Sequence, residues 1–290
     1  MTATTATPAA RPSRRPARLP LAGRPAAQAG AIGAALVVAV AVFGPLLAPA
    51  SPTASDFNAI LSPPLSPHHL LGTDQLGRDV LSRLLYGART TLVAGIASTL
   101  LGTVIGLPIG LVSGYFRGPL DATIMRLVDV LLAFPFLLLA VGLAAISGPS
   151  LWNAVLALGV SQVPVIARIA RGSTLAVRDL EYVQAAIVNG ERDLVIMGRH
   201  MLPNIVSPVI VQTTVAIPLS IVGAAILSFL GLGVQPPTAD WGAMLAQAQS
   251  YLHQAPWLGV FPGVAIFIAA LSFNLLGDGV RDALDPRRRP

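Results

Sequence analysis

Six stretches of the chain are apolar on all sides, each near the ~20 residues that a helix needs to cross a bilayer. They predict spans at 29–49, 90–114, 123–147, 151–170, 206–231 and 257–277. The third and fourth are joined only by "SGPS" at 147–150, which suits a tight helical hairpin. The pattern changes between the fourth and fifth. "EYVQAAIVNGERDLVIMGRHMLPN", residues 181–204, carries Glu181, Glu191, Arg192, Asp193, Arg199 and His200 in an otherwise greasy chain. Asp179 is placed to cap a helix whose stripe is Leu180, Val183, Ala186 and Ile187, and Glu181 suits its positive end. Asn189-Gly190 offers a left-handed stop. A second helix is predicted from Glu191 to Met201, with Leu194, Met197 and Met201 on one face, ended by Pro203. Such stripes outside a span need a partner, either the protein's own spans or another subunit.

Two other polar segments, 50–89 and 232–256, lie on the opposite side of the spans. In the first, Thr73 or Asp74 is placed to cap an amphipathic helix presenting Leu76, Val80, Leu81, Leu84 and Leu85, with Asp79 and Arg83 as an i, i+4 surface pair. The second has turn-forming prolines and then a short helical pattern.

Composition fixes the class. Hydrophobic residues are 54% of the 290 and charged residues only 11%, against about 25% charged in soluble domains. The reading is an all-α, polytopic membrane protein with six transmembrane helices. Residues 1–28, rich in Ala, Pro and Arg, form a predicted disordered basic tail, and 29–290 the transmembrane domain. "SRRPARL" at 13–19 and Ala48-Pro49-Ala50 imitate an export signal and cleavage site, but the apolar stretch between them exceeds a signal core. With the N-terminus inside, 16 of the 19 arginines fall on inside segments and only Arg78, Arg83 and Arg89 outside. The bias gives N-in and C-in, and makes 172–205 cytoplasmic. The net charge of +6 therefore records orientation, and nucleic acid is not implied. The chain has neither cysteine nor lysine. That excludes disulfides, and it excludes a Walker A loop, whose Lys must reach nucleotide phosphates. If ATP is used, another chain binds it.

Polar side chains inside spans are costly and face a bundle interior or a cavity. Gln162, Gln212, Thr213, Thr214, Ser220 and Asn274 either line a route or bond a neighbouring helix. Arg126 and Asp129, at i, i+3, read as a structural ion pair. Pro108, Pro135, Pro164, Pro208, Pro218 and Pro262 all fall within spans. Enzyme chemistry finds no support. "GVSQV" at 159–163 lacks the second glycine of a nucleophile elbow, and His68, His69, His200 and His253 all lie outside the spans, far from Ser161. No zinc motif and no metal site is predicted, and no catalytic residue. A stand-alone secondary transporter is disfavoured because the spans hold no chain of carboxylates.

The 181–204 segment resembles the cytoplasmic loop of permease subunits of bacterial ABC importers. That loop reads E-A-A, three residues, Gly, nine residues, Ile, one residue, Leu-Pro. Here the positions are Gln184, Ala185, Ala186, Gly190, His200, Leu202 and Pro203, with Gln replacing Glu and His replacing Ile. "LGTDQLGRDVLSRLLYGAR" at 71–89, "SFLGLGVQPP" at 228–237 and "NLLGDGVRDALDPR" at 274–287 are similar to signatures of the second permease in dipeptide, oligopeptide and nickel importers. The resemblance implies a type I importer permease fold in a bacterial inner membrane. It implies a second permease subunit, two ATPase subunits or one fused ATPase that hold ATP and Mg, and an extracytoplasmic substrate-binding protein. No cofactor is implied in this chain. Peptide is the implied cargo, with nickel or another small solute as the alternative.

Overall fold

The computed structural model describes residues 25–284, and every regular element among them is helical. α1 runs Pro25–Leu47, α2 Val80–Phe116, α3 Gly118–Leu132, α4 Phe136–Ser147 and α5 Leu151–Arg178. A short α6, Glu181–Val188, precedes a helical turn α7, Asp193–Val195, a π-helical stretch Ile196–Met201, and α8, Leu202–Phe229. α9, Trp241–Ala248, and α10, Trp257–Leu284, complete the order. Five helices are long and apolar enough to cross a membrane, and α3 with α4 makes a sixth span if the bent pair is counted as one. The tail expected at 1–28 lies outside the described residues up to position 24, and Pro25 already begins α1.

The predicted third span is not one straight helix. α3 and α4 meet at 89°. Pro135 is the N-cap of α4, and a residue preceding proline is pushed out of the helical region, so Phe134 ends the run. The other five prolines noted above stay inside α2, α5, α8 and α10. Two ion pairs tie α3 to α5: Arg171 with Asp121, and Arg168 with Asp129, each at 2.5 Å. Asp129 thus pairs across to α5 and not with Arg126, which lies on its own helix.

The predicted surface helix and second span are one 37-residue helix. At 1.5 Å per residue it is about 55 Å long, well beyond a ~30 Å hydrocarbon core. Its cap is Asp79, whose carboxylate accepts from the Ser82 N–H at 2.7 Å and the Ser82 hydroxyl at 2.8 Å. Thr73 and Asp74 are occupied in the preceding loop. The Thr73 hydroxyl accepts from the Ser62 N–H, and Asp74 accepts from the Leu76 and Arg78 N–H groups and pairs with the Arg78 guanidinium at 2.7 Å. Arg83 is not a surface residue paired with Asp79. It is 1% exposed, lies 3.5 Å from Asp74, and with Arg78 donates to Gln247 of α9.

α2 and α5 run parallel in the tightest contact of the bundle. Gly102, Gly106, Gly110 and Gly114 recur every fourth residue along α2 and meet Gly159–Gln162, Val163–Ile166, Ala167–Arg171 and Arg171–Thr174 in turn. A Cβ at Gly106 would lie 2.8 Å from that of Ile166 and 2.9 Å from the Val163 carbonyl oxygen. Small residues at such a spacing let two backbones approach where lipid supplies no hydrophobic drive. One face of α2 also carries Thr99, whose hydroxyl donates to Ser220 of α8 at 2.8 Å.

The 230–240 link packs back onto α2 through Asp240, the N-cap of α9. Its carboxylate accepts from the Ala243 N–H at 3.0 Å and the Thr91 hydroxyl at 2.9 Å, and Asp240 is 1% exposed. Burial raises its pKa above the ordinary carboxylate value, while hydrogen bonds from Ala243, Thr91, Ser228 and Gly242 act the other way. A raised native pKa means stability that is present below the unfolded value and lost as pH rises through the native one. Asp240→Asn keeps an oxygen for the cap and removes that loss. It is expected to melt higher than the parent near neutral pH, with the difference closing on acidification below the ordinary carboxylate range. Asp240→Ala loses the cap and is expected to cost about 1 kcal/mol. Thermal melts of the purified subunit across pH check both.

Candidate functional site

At the end of α5 the chain turns through Asp179 and Leu180. Asp179 is not the cap of α6. Leu180 holds that position without a side-chain bond, and Asp179 pairs with Arg117 at 2.7 Å. The Gln184 amide reaches back to the Arg178 carbonyl at 2.8 Å, satisfying an acceptor at the end of α5. α6 ends on Gly190, at φ +72°. The Gly190 N–H donates to the Ile187 carbonyl and the Glu191 N–H to the Ala186 carbonyl, the paired bonds of a Schellman stop.

One face of α6 is buried in its own protein. Val183 (0% exposed) and Ala186 (8%) pack with Leu111 and Tyr115 of α2, with Ile196, Met197 and Met201, and with Ile205 of α8. Polar contacts clamp the unit further. The Tyr115 hydroxyl donates to Asp193 at 2.5 Å, and the Arg178 guanidinium lies over the Tyr115 ring. His200 Nε2 stands 2.8 Å from the Glu191 carboxylate, and Asn204 donates to the Tyr182 hydroxyl and the His200 carbonyl. The short helix is therefore held to the protein through the end of α5, the π-helical stretch and the start of α8.

The other face has no cover among the described residues. Val188 is 84% exposed and Leu194 80%, with Tyr182 and Leu180 nearly half exposed. Ala185 is exposed, and so are Glu181, Arg192 and Arg199. The stripes drawn from sequence are thus divided: Val183, Ala186, Met197 and Met201 are buried in the protein itself, and Leu180 and Leu194 are exposed. The open face also brings in Val188, which no stripe included, although it shares a face with Gln184 and Ala185 at i+4 and i+3. The exposed apolar side chains are rimmed by charge.

The remaining motif positions sit around this unit. His200 and Leu202 are half-buried and Pro203 is exposed. Pro203 does not end a helix. It occupies the first turn of α8, directly after the π-helical stretch, and the helical path runs on without a gap.

The candidate route residues are not brought together. Gln162 is 7% exposed and donates to Ser220 and Thr99, so its amide joins α5 to α2 and α8. Thr213 is bonded to Thr103 at 2.9 Å. Gln212 is half-buried. Asn274 alone of the four is exposed, on a groove of about 410 Å³ with Pro218, Leu219, Val222 and Phe267. The Ser161 hydroxyl donates to the Ala157 carbonyl in its own helix.

The structure is a bundle of apolar helices that carries a short, half-buried helix between two of its spans. Residues 106–290 match the family model described as binding-protein-dependent transport system inner membrane component, and the chain belongs to that family. It is 50% identical over 219 residues to the glutathione transport system permease protein GsiD of Pectobacterium atrosepticum, covering 76% of this chain and 73% of that one. It is 43% identical to the di/tripeptide transport system permease protein DppC of Pseudomonas aeruginosa, covering 85% and 83%. To the dipeptide transport system permease protein DppC of Alkalihalophilus pseudofirmus it is 40% identical, covering 86% and 81%. Among solved structures, inward-facing MetNI methionine ABC transporter matches 70% of this chain and 96% of its own with a TM-score of 0.58 at 21% identity. An amino acid ABC transporter matches 69% and 93% with a TM-score of 0.53 at 18% identity. These share the fold. The chain is an inner-membrane, multi-pass permease subunit and not the ATPase, and its family works with ATPase and binding-protein partners.

Proposed function

We propose that this chain forms half of the translocation pathway of an ATP-driven importer of small peptides, and that α6 is its contact with an ATPase subunit. The observation that carries the coupling role is the exposed apolar face of a helix whose opposite face is fixed to the bundle. Its residues are Gln184, Ala185, Ala186, Gly190, His200, Leu202 and Pro203, with Tyr182, Val188 and Leu194 added as the contact surface. In this reading the N- and C-termini are cytoplasmic, a second permease completes the pathway, and two ATPase subunits or one fused ATPase hold ATP and Mg. A substrate-binding protein delivers cargo from outside. Closure of the ATPases displaces α6, and the stop at Gly190 and the continuous path into α8 carry that displacement into the bundle. Peptide cargo rests on the names of the relatives, which include dipeptide, di/tripeptide and glutathione systems.

The test is uptake into vesicles holding the complete transporter and its binding protein. ATP-dependent accumulation of labelled dipeptide, tripeptide or glutathione is expected. Accumulation of nickel with none of these peptides would overturn the cargo assignment.

A further inference from the structure

α1 and α2 leave between them a groove of about 450 Å³ in which Arg89 is the one polar side chain. Val38 and Val42 line it from α1, and Val93, Ile96 and Leu100 from α2. Five arginines find carboxylates: Arg78 and Arg83 reach Asp74, Arg117 reaches Asp179, Arg168 reaches Asp129, and Arg171 reaches Asp121. Arg89 is exposed and makes no hydrogen bond or ion pair with any described residue. An unpaired guanidinium at the mouth of an apolar groove suits an anion that carries hydrocarbon.

The dimensions select the occupant. From Arg89 to Leu100 is eleven residues, or about 16 Å of helix. Half the hydrocarbon thickness of a bilayer is about 15 Å. The cation therefore stands at one end of a furrow one leaflet deep. The Cα–Cβ bonds of a helix tilt toward its N-terminus, so the Arg89 side chain leaves the backbone toward the end at which α2 begins. Its planar fork matches two phosphate oxygens.

We propose that this groove is a binding site for one phospholipid of the leaflet at the N-terminal end of α2. Its phosphate is held by Arg89 and one acyl chain lies along Val93, Ile96 and Leu100. The site does not depend on which cargo the transporter carries, so its test leaves uptake aside.

The complete transporter is extracted from phosphatidylglycerol-containing membranes and weighed by native mass spectrometry. The parent is expected to retain one more phospholipid per copy of this chain than Arg89→Gln. Ile96→Trp, which fills the groove and leaves the charge, is expected to lose the same lipid. Adding phosphatidylglycerol back to delipidated parent restores it, whereas diacylglycerol, with the same chains and no phosphate, does not. Equal lipid counts in parent and Arg89→Gln overturn the proposal. So does efficient cross-linking of a cysteine at Val93, in the groove wall, to the second permease, which would make the occupant protein.

Discussion

Gly110→Val is expected to remove most of the subunit from the membrane. A Cβ at this position overlaps the carbonyl oxygen of Ala167 and stands 2.8 Å from the backbone nitrogen of Arg171. The obstacle is backbone on both sides, so no rotamer change relieves it and α2 and α5 must part. Overpacking against movable side chains costs about 1–3 kcal/mol, and a clash with backbone exceeds that. Separation also breaks the bond from the Gln162 amide of α5 to the Thr99 hydroxyl of α2. The cost is a large part of a typical stability of about 5–15 kcal/mol. Gly142→Val in α4 is the control, since no atom lies within 4 Å of its added Cβ. Subunit levels and melting in detergent separate the two. Parent-like values for Gly110→Val would mean that the α2/α5 contact is wrong.

Val188→Glu is expected to cut uptake at least about tenfold while the subunit accumulates normally, a loss of some 1.4 kcal/mol or more in coupling. The side chain is 84% exposed, so the bundle does not sense the charge, whereas an apolar docking groove would have to bury it unpaired. Val183→Glu places the same charge at a position with 0% exposure and is expected to fail by misfolding. Ala185→Arg serves as a second surface probe. Ala186→Arg does not, because Ala186 faces the cluster around Met197 and Met201 and its loss would confound folding with docking. Gly190→Pro breaks the stop itself, since proline cannot adopt φ +72°. Uptake at the parent rate by Val188→Glu, at equal expression, would remove the docking role from this face.

Local signals in the sequence carried over well. The hairpin at 147–150 has Ser150 as the cap of α5, and Asn189-Gly190 closes α6 as a left-handed stop. Both depend on neighbours within four residues. What was misread depends on distant partners or on an altered helical period. Arg83 looks like a surface charge until Asp74 and Gln247 arrive to satisfy it. Leu194 was placed on one face with Met197 and Met201 by assuming 3.6 residues per turn. The π-helical stretch at Ile196–Met201 widens the turn, so Ile196, Met197, Met201 and Ile205 share the buried side and Leu194 is left outside. The glycines at 102, 106, 110 and 114 were visible in the sequence at a spacing that marks close helix contact. They were masked by reading the span only for its hydropathy. For the candidate site, the positions were legible as a motif. The division into a fixed face and an open face was not, because it required knowing where α2 and α8 stand.

The chain has no cysteine, which permits single-cysteine labelling without a background. The most direct measurement places one cysteine at Val188, Leu194 or Val183 in the assembled transporter, adds a short cross-linker with one thiol-reactive and one photoreactive end, and identifies what each is joined to. Cross-links from positions 188 and 194 to the ATPase, with none from the buried position 183, are the expected result. Positions 188 and 194 that join only to the substrate-binding protein, or to nothing while remaining open to thiol reagents, would contradict the account.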